Sequence, residues 1–507
     1  MIERPRPPAA DIDLPSRSDP VVTGLSQVIG GPIGDRARLH RRVWTPMRAV
    51  LALACFTFAF NWVQKSPCRS GAWAENLQYK KHCYTDVLAL YFAERLDQGA
   101  VPYVDHPVEY PVLTGIFMGL IGRPVWKLGN SEWVNGTLLP RLADYGLAEG
   151  GPLNQGKLFY DLTAIALGIF GVLAVWAVVK MRPQRPWDGA MVALAPAVFL
   201  TASINWDLLA VGLCTLALYF WSRRAPGWAG LMFGLAVAAK LYPLFILGPM
   251  LVLCWRRRRL PDFVITLGTG IVTWVALNLP IYLAEPDGWL RFWQLNTDRP
   301  VDWGTLWYIG AHFPIGGGEV GIPPFTELSA TENIPDLNTL TQSLFALLCL
   351  GIAALIFFSP RPPRLGQVAF LVVAAFLLTN KVWSQQFVLW LVPLAVLARP
   401  RWGAFLAWQA CELAYFFGFY QILLRTAGGK SLMPEKWFAL IGLARWVSVA
   451  VLCGLVIREI LRPELDVVRA GGVDDPEGGV LGDDPPPGPE PVNAGAWVDD
   501  GERVSTA

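Results

Sequence analysis

Apolar stretches long enough to span a bilayer recur along most of this chain, and short arginine-rich turns separate many of them. No other feature constrains the fold as strongly. A membrane-crossing helix needs about 20 mostly apolar residues. Candidates fall at roughly 45–63, 156–180, 188–204, 205–222, 227–240, 241–255, 262–283, 338–358, 365–380, 385–398, 402–424 and 436–457. Several are short, so broken helices are expected among them. The chain is 53% hydrophobic and 16% charged, too little charge to cover a soluble protein of this length. Its 23 Trp and 26 Phe suit two interfacial aromatic belts. A net charge of +2 gives no reason to expect a nucleic-acid partner. The expected fold is therefore all-α, a polytopic transmembrane helical bundle of about 12 spans.

Arginine placement orients those spans. With the N-terminus inside, Arg41, Arg42 and Arg48 are cytoplasmic, and so are the pairs Arg182/Arg185 and Arg223/Arg224. Arg256 to Arg259, Arg361/Arg364, Arg399/Arg401 and Arg458/Arg462 fall on the same side. This threading requires that Tyr110 to Leu120 not cross. That stretch is short and followed by Arg123 and Lys127, so it reads as a juxtamembrane or re-entrant helix in the first outer loop. Two long outer loops result, at about 64–155 and 284–337. Residues 1–44 are polar, Pro-rich and Arg-rich, unlike a signal peptide. Residues 463–507 are acidic and Pro-rich, with the run Asp483-Asp484-Pro485. Both segments are expected to be disordered cytoplasmic tails flanking a membrane domain at 45–462, seated in the plasma membrane.

Six of the eight cysteines lie in or at the ends of apolar stretches, where Cys behaves as a small hydrophobe. Cys68 and Cys83 share the first outer loop. An oxidising compartment would allow a disulfide between them; the alternative is two free thiols. No Cys/His spacing resembles a zinc site, and no phosphate-binding glycine loop is present. No cofactor and no metal-ligand set is expected, and metal dependence is left open by the sequence.

Charge at a bilayer edge is costly and usually has a purpose. Asp86 precedes the amphipathic stretch Val87 to Leu96; it could equally be a helix cap or a charge favoured by the helix dipole. The Pro/Gly-punctuated turn Gly99 to Tyr110 carries Asp105, His106 and Glu109, which fits a rigid positioning loop or a merely solvated one. Asn205-Trp206-Asp207, Lys240-Leu241-Tyr242-Pro243 and Asn380-Lys381 with Ser384-Gln385-Gln386 interrupt apolar stretches at the expected outer edge. Three polar breaks on one side point to a shared cavity. Snorkelling explains Lys240 and Lys381 well, but it explains Asp207 poorly. The second outer loop mixes Asn296, Asp298, Arg299, Asp302, Trp303, Trp307, Tyr308 and His312. Such a set can stack on a sugar and bind a phosphate, or form an aromatic belt. Glu412 and Arg445 are expected to pair for structural reasons.

Thr85-Asp86-Val87 with Tyr91, Gly99, Pro102-Tyr103 and Tyr110-Pro111-Val112-Leu113 resembles the first-loop block of glycosyltransferase family 87. These are GT-C membrane enzymes that include actinobacterial polyprenyl-phosphate-mannose-dependent mannosyltransferases. Asn205 to Asp207 through Lys240 to Pro243 is similar to a second block. Asp298-Arg299-Pro300 with Trp303 and Trp307 is similar to a third. Lys381 with Ser384 to Gln386 and Leu389-Trp390-Leu391-Val392-Pro393 is similar to a fourth. Val112 and Gln385 stand where the family has Pro. The resemblance implies a GT-C-like bundle with juxtamembrane helices in the first outer loop. It also implies transfer of a sugar, mannose first, from a polyprenyl-phosphate donor to a lipid or glycan acceptor outside the cell. Asp86 becomes the candidate catalytic base, and Arg299, Lys240, Lys381 and His312 the candidate phosphate ligands. Asp105, His106, Glu109, Tyr110, Asn205, Asp207, Tyr242, Asp298, Trp303 and Gln386 become candidate pocket residues. A transporter or lipid flippase is the alternative; it would call for internal repeats and midplane charge, and no clear repeat is visible. A non-catalytic scaffold is a third reading.

Overall fold

The computed structural model describes residues 45–69, 71, 73–145, 151–313, 321–471 and 474–482. Its main helices are α1 (Pro46–Lys65), α2 (Asp86–Ala93), α3 (Val112–Gly129), α4 (Gln155–Met181), α5 (Asp188–Ala193) and α6 (Pro196–Thr201). They continue with α7 (Asp207–Ser222), α8 (Pro226–Ala239), α9 (Tyr242–Arg256), α10 (Leu260–Ala284), α11 (Pro286–Asp298) and α12 (Leu306–Ala311). The last are α13 (Ile334–Phe358), α14 (Leu365–Thr379), α15 (Val388–Ala398), α16 (Trp402–Thr426) and α17 (Glu435–Leu461). No strand occurs among the described residues.

Five helical segments are long and apolar enough to cross a membrane: Pro46–Cys68, Gln155–Met181, Leu260–Ala284, Thr331–Phe358 and Glu435–Leu461. Shorter apolar helices make up most of the remaining expected spans. The stretch 188–204 is not one helix. Pro196 has no N–H to give and its ring obstructs the preceding turn, so α5 ends at Ala193 and α6 restarts at Pro196.

α15 is apolar all round and buried along its whole length, which marks it as the bundle centre. α7 and α14 pack beside it, also largely buried. α10 and α13 lie at the periphery and expose apolar side chains such as Val272 and Leu350, each 69% exposed. Apolar surface on that scale belongs against lipid. α8 and α10 approach closely because Gly230 carries no side chain; a Cβ there would collide with the Thr266 carbonyl.

The bundle has two chemically different ends. At one, Arg182 after α4 donates to Asp188 (3.0 Å), Glu477 and the Val396 carbonyl (3.0 Å) at the end of α15. Arg364, the residue before α14, donates to Asp466 (2.7 Å), Glu477 (3.2 Å) and the Leu397 carbonyl (2.8 Å). Arg256 at the end of α9 donates to the Ser359 carbonyl (2.9 Å) after α13. The expectation of disorder from 463 onward is corrected here: residues 463–471 and 474–482 fold against this end. Asp466 and Glu477 are buried between the two arginines, and Val480 and Leu481 insert into the core. The remaining tail residues, 1–44 and 483–507, lie outside the described residues.

The opposite end gathers the start of α7, the end of α8, the start of α9, the end of α14 and the start of α15. Both ends of α3 return to it. Thr114 in the first turn donates to the Ala239 carbonyl at the end of α8 (2.8 Å). Gly129, at the last turn, packs on Gln155 in the first turn of α4. α3 therefore lies across this end and does not run the length of the bundle.

Candidate active site

Asp86 is the first residue of α2. Thr85 caps that helix, its hydroxyl accepting from the Val87 N–H (3.2 Å). The Asp86 N–H donates to the Ile204 carbonyl (2.7 Å), and the Thr85 hydroxyl to the Ser203 carbonyl (2.7 Å). α2 is thus pinned to the irregular 202–206 segment between α6 and α7. Asp86 does sit at a helix N-terminus, as the dipole reading expects. Its carboxylate, however, looks across the site: the Asn205 amide donates to Asp86 Oδ2 (2.8 Å) and to the Tyr110 hydroxyl (2.7 Å). Tyr84 donates a second hydrogen bond to the carboxylate.

Dense packing around the half-buried Asp86 raises its pKa above the ordinary carboxylate range; the hydrogen bonds from Asn205 and Tyr84 oppose the rise. Glu109 is raised too, by burial first and then by the Asp86 charge, with Arg299, Lys240 and Arg291 pulling the other way. Two neighbouring carboxylates and three cations therefore share this region. Glu94, pushed up to about 7 by burial and then by Glu109, sits behind it. His106 Nε2 lies 3.3 Å from Glu94.

Lys240 follows α8 in extended backbone, and α9 opens two residues later with Tyr242-Pro243. Proline at the second position starts a helix readily because its missing N–H has no partner there anyway. The break leaves the Lys240 ammonium 3.5 Å from Asp207 Oδ1 and 4.9 Å above the Tyr110 ring. Asp207 stands at the N-terminus of α7 and Lys240 at the C-terminus of α8, each where the helix dipole favours its sign. Trp390 Nε1 donates to Asp207 Oδ1 (2.6 Å), and Tyr242 stacks on Trp390 at 4.7 Å. Asp207 Oδ2 is buried without a hydrogen-bond partner.

The structure thus brings together Asp86, Glu109, Tyr110, Asn205, Asp207, Lys240, Tyr242 and Arg299. Lys381 and Asp298 are neighbours one step further out. Lys381 Nζ donates to the Thr297 carbonyl (2.8 Å), and its pKa is lowered to about 8 by burial, with Asp298 opposing and Arg299 adding to the shift. Gln386 is buried in the turn leading into α15. Three expected residues serve other ends. Asp105 accepts from the Val101 N–H (2.8 Å) and braces its own loop. His312 stacks on Tyr308 and lies 3.4 Å from Glu435 at the start of α17. Trp303 packs on Phe419. Glu412 and Arg445 do pair, at 2.8 Å. Cys68 and Cys83 are bonded to each other, with Cα atoms 5.6 Å apart. Sequence reasoning passed over Lys65, which lies buried beside this site.

Two apolar hollows flank the cluster. A narrow aromatic cleft runs from Tyr110 past Trp274, Trp289, Phe292 and Trp293. A wider groove of about 440 Å³ is lined by Phe56, Phe60, Phe199, Leu413 and Phe417.

Residues 152–380 match the model of glycosyltransferase family 87. Over that stretch, somewhat under half of its length, the chain is similar to the family, which points to a membrane glycosyltransferase. The matched residues include Asn205, Asp207, Lys240, Tyr242, Asp298, Arg299, Trp303 and His312; Asp86, Glu109 and Tyr110 precede them, and Lys381 and Gln386 follow. No curated protein matches the chain.

Proposed function

We propose that this glycosyltransferase moves a sugar, mannose first, from a polyprenyl-phosphate donor to an envelope glycolipid or glycan acceptor on the outer face of the plasma membrane. The observation that carries the reading is the Asp86 carboxylate, held by Asn205 and Tyr84 in a site that also contains Lys240 and Arg299.

An acceptor hydroxyl attacks the anomeric carbon of the donor sugar while Asp86 takes the hydroxyl proton. The bond from that carbon to the phosphate oxygen breaks, and the polyprenyl phosphate leaves with one more negative charge. Lys240 and Arg299 stabilise that charge as it develops, and Lys381 supports them from the next shell of contacts. The raised pKa of Asp86 suits a base that must hold a proton during the step. Sidedness follows from the charge pattern. The paired arginines stand at the end opposite Asp86, and the positive end of a membrane protein faces the cytoplasm.

The test is transfer of radiolabel from polyprenyl-phosphate-mannose to envelope lipids by membranes carrying the protein. Asp86→Asn is expected to cut transfer by roughly 100- to 10,000-fold at unchanged membrane level. Transfer that survives D86N removes Asp86 from the chemistry. A wild-type protein that accepts another polyprenyl-linked sugar and refuses mannose overturns the choice of sugar.

A further inference from the structure

Lys65 is the last residue of α1 and is fully buried. A buried ammonium normally sits against a carboxylate. This one has no ion pair within 4.0 Å among the described residues; its one hydrogen bond there runs to the Tyr84 carbonyl (3.2 Å). The rest of its surroundings are aromatic faces, Phe416 at 5.6 Å and Tyr420 at 5.9 Å. An ammonium has three donors, so two are unspent. Asp86 stands two residues beyond the carbonyl it holds.

Its position is fixed from several directions. Gln64 donates to the His82 carbonyl (2.6 Å), and the Cys68–Cys83 disulfide ties the chain just after α1 to the chain just before Asp86. The Tyr420 hydroxyl donates to the Tyr84 carbonyl as well (3.2 Å). The end of α1 and the start of α2 are therefore tied to each other, with a cation on one and the carboxylate on the other.

We propose that Lys65 is the positioning residue for Asp86: its buried charge holds the Tyr84–Asp86 turn in place and biases the carboxylate to its ionised form, without touching substrate. The inference rests on the assignment of Asp86 as the base. Other groups face Asp86 from every packed element: Tyr84 on its own turn, Glu109 ahead of α3, Asp207 opening α7, Lys240 closing α8 and Tyr420 on α16. Lys240 already leans on Asp207 and His82 is itself held back from protonation by burial and by Lys65. Lys65 is thus a cation bonded to the Tyr84–Asp86 turn with no carboxylate within 4.0 Å of its own among the described residues. A positive charge nearby favours the ionised carboxylate, so its removal leaves Asp86 protonated up to higher pH.

The test needs no knowledge of the sugar. Dicyclohexylcarbodiimide reacts with protonated buried carboxyls, and labelling of Asp86 can be followed by mass spectrometry as a function of pH in the intact, membrane-embedded protein. In Lys65→Gln, which keeps a donor for the Tyr84 carbonyl but carries no charge, the midpoint of labelling is expected to move to higher pH, with several-fold more label at neutral pH. Lys65→Arg should return to the wild-type curve, and Lys65→Met should follow Lys65→Gln. A K65Q curve that overlies the wild type overturns the inference. So does loss of both uncharged variants from the membrane beside normal levels of K65R, which would make Lys65 a folding determinant. Transfer activity of D86N, measured separately, decides the base assignment whatever the labelling shows.

Discussion

The arginine end of the bundle and the cluster around Asp86 at the other end handle charge in opposite ways. At the arginine end, cations and carboxylates meet in bonded pairs: Arg364 with Asp466, Arg182 with Glu477, and Arg399 with Glu459 (2.9 Å). Immediately around Asp86 the acids are held by neutral donors, an amide on Asp86 and an indole on Asp207, and Lys240 is only loosely matched; the closed pairs Arg69–Asp161 and Arg445–Glu412, each 2.8 Å, brace the rim of the same end. Closed pairs neutralise buried charge and tie elements together. Open ones keep electrostatic capacity in reserve for a charge that arrives with substrate. A membrane enzyme has use for both, and here the arginine-end pairs and the Asp86 cluster are separated by the length of the helices.

The first way to break this comparison is at the closed end. Arg364→Met would strand Asp466 in the interior and leave Glu477 to Arg182 alone, since Arg364 is fully buried and bonded to both carboxylates. Removing one partner of a buried pair costs about 3–5 kcal/mol. The variant is expected to lose folded protein sharply in a detergent melt, and residues near 466–482 should become open to protease. A melt equal to the wild type would mean that these pairs do not clamp the end.

At the open end the expected signature is reversed. Lys240→Met should leave the melt nearly unchanged, because the Lys240–Asp207 contact is long at 3.5 Å and Asp207 can take up a proton. Transfer should fall by about 100-fold, the usual cost of removing one group aimed at developing charge. If K240M melts as early as R364M, Lys240 is part of the scaffold and the contrast between the ends fails.

The same contrast explains what could be read from the chain alone. Polar breaks in apolar runs are local signals, so Asn205–Asp207, Lys240–Tyr242 and Lys381–Gln386 stand out as site material without any fold. The helical class and the positions of most apolar helices follow from runs of apolar residues, five of them long enough to cross a membrane. Residues 463–482 gave no such signal. Their composition argues for disorder, and what orders them is pairing with Arg182 and Arg364, at least 100 residues away in sequence. Lys65 looks like an ordinary snorkelling lysine at a helix end. Its burial depends on Phe416 and Tyr420, which only the fold delivers. His312 is turned toward other partners for the opposite reason. Its loop has the right residue types, but its neighbour Tyr308 and Glu435 of α17 claim the imidazole.

The finest test concerns the hydrogen bond from Asn205 to Asp86. A base acts only when deprotonated, so transfer should rise with pH through the Asp86 pKa and be lost as pH falls below it. That pKa is already raised by burial, and the Asn205 amide works against the rise because its N–H favours the ionised carboxylate. Asn205→Ala therefore raises the pKa further, and the acid limb of the kcat/KM profile is expected to move to higher pH while the plateau falls by less. Tyr110→Phe separates this from simple disruption. It removes the other acceptor of the same amide and leaves the bond to Asp86 in place, so its acid limb should stay near the wild-type position. If N205A lowers transfer equally at every pH, the amide shapes the site without setting the charge of Asp86, and the neutral-donor character of the open end would have no part in the chemistry.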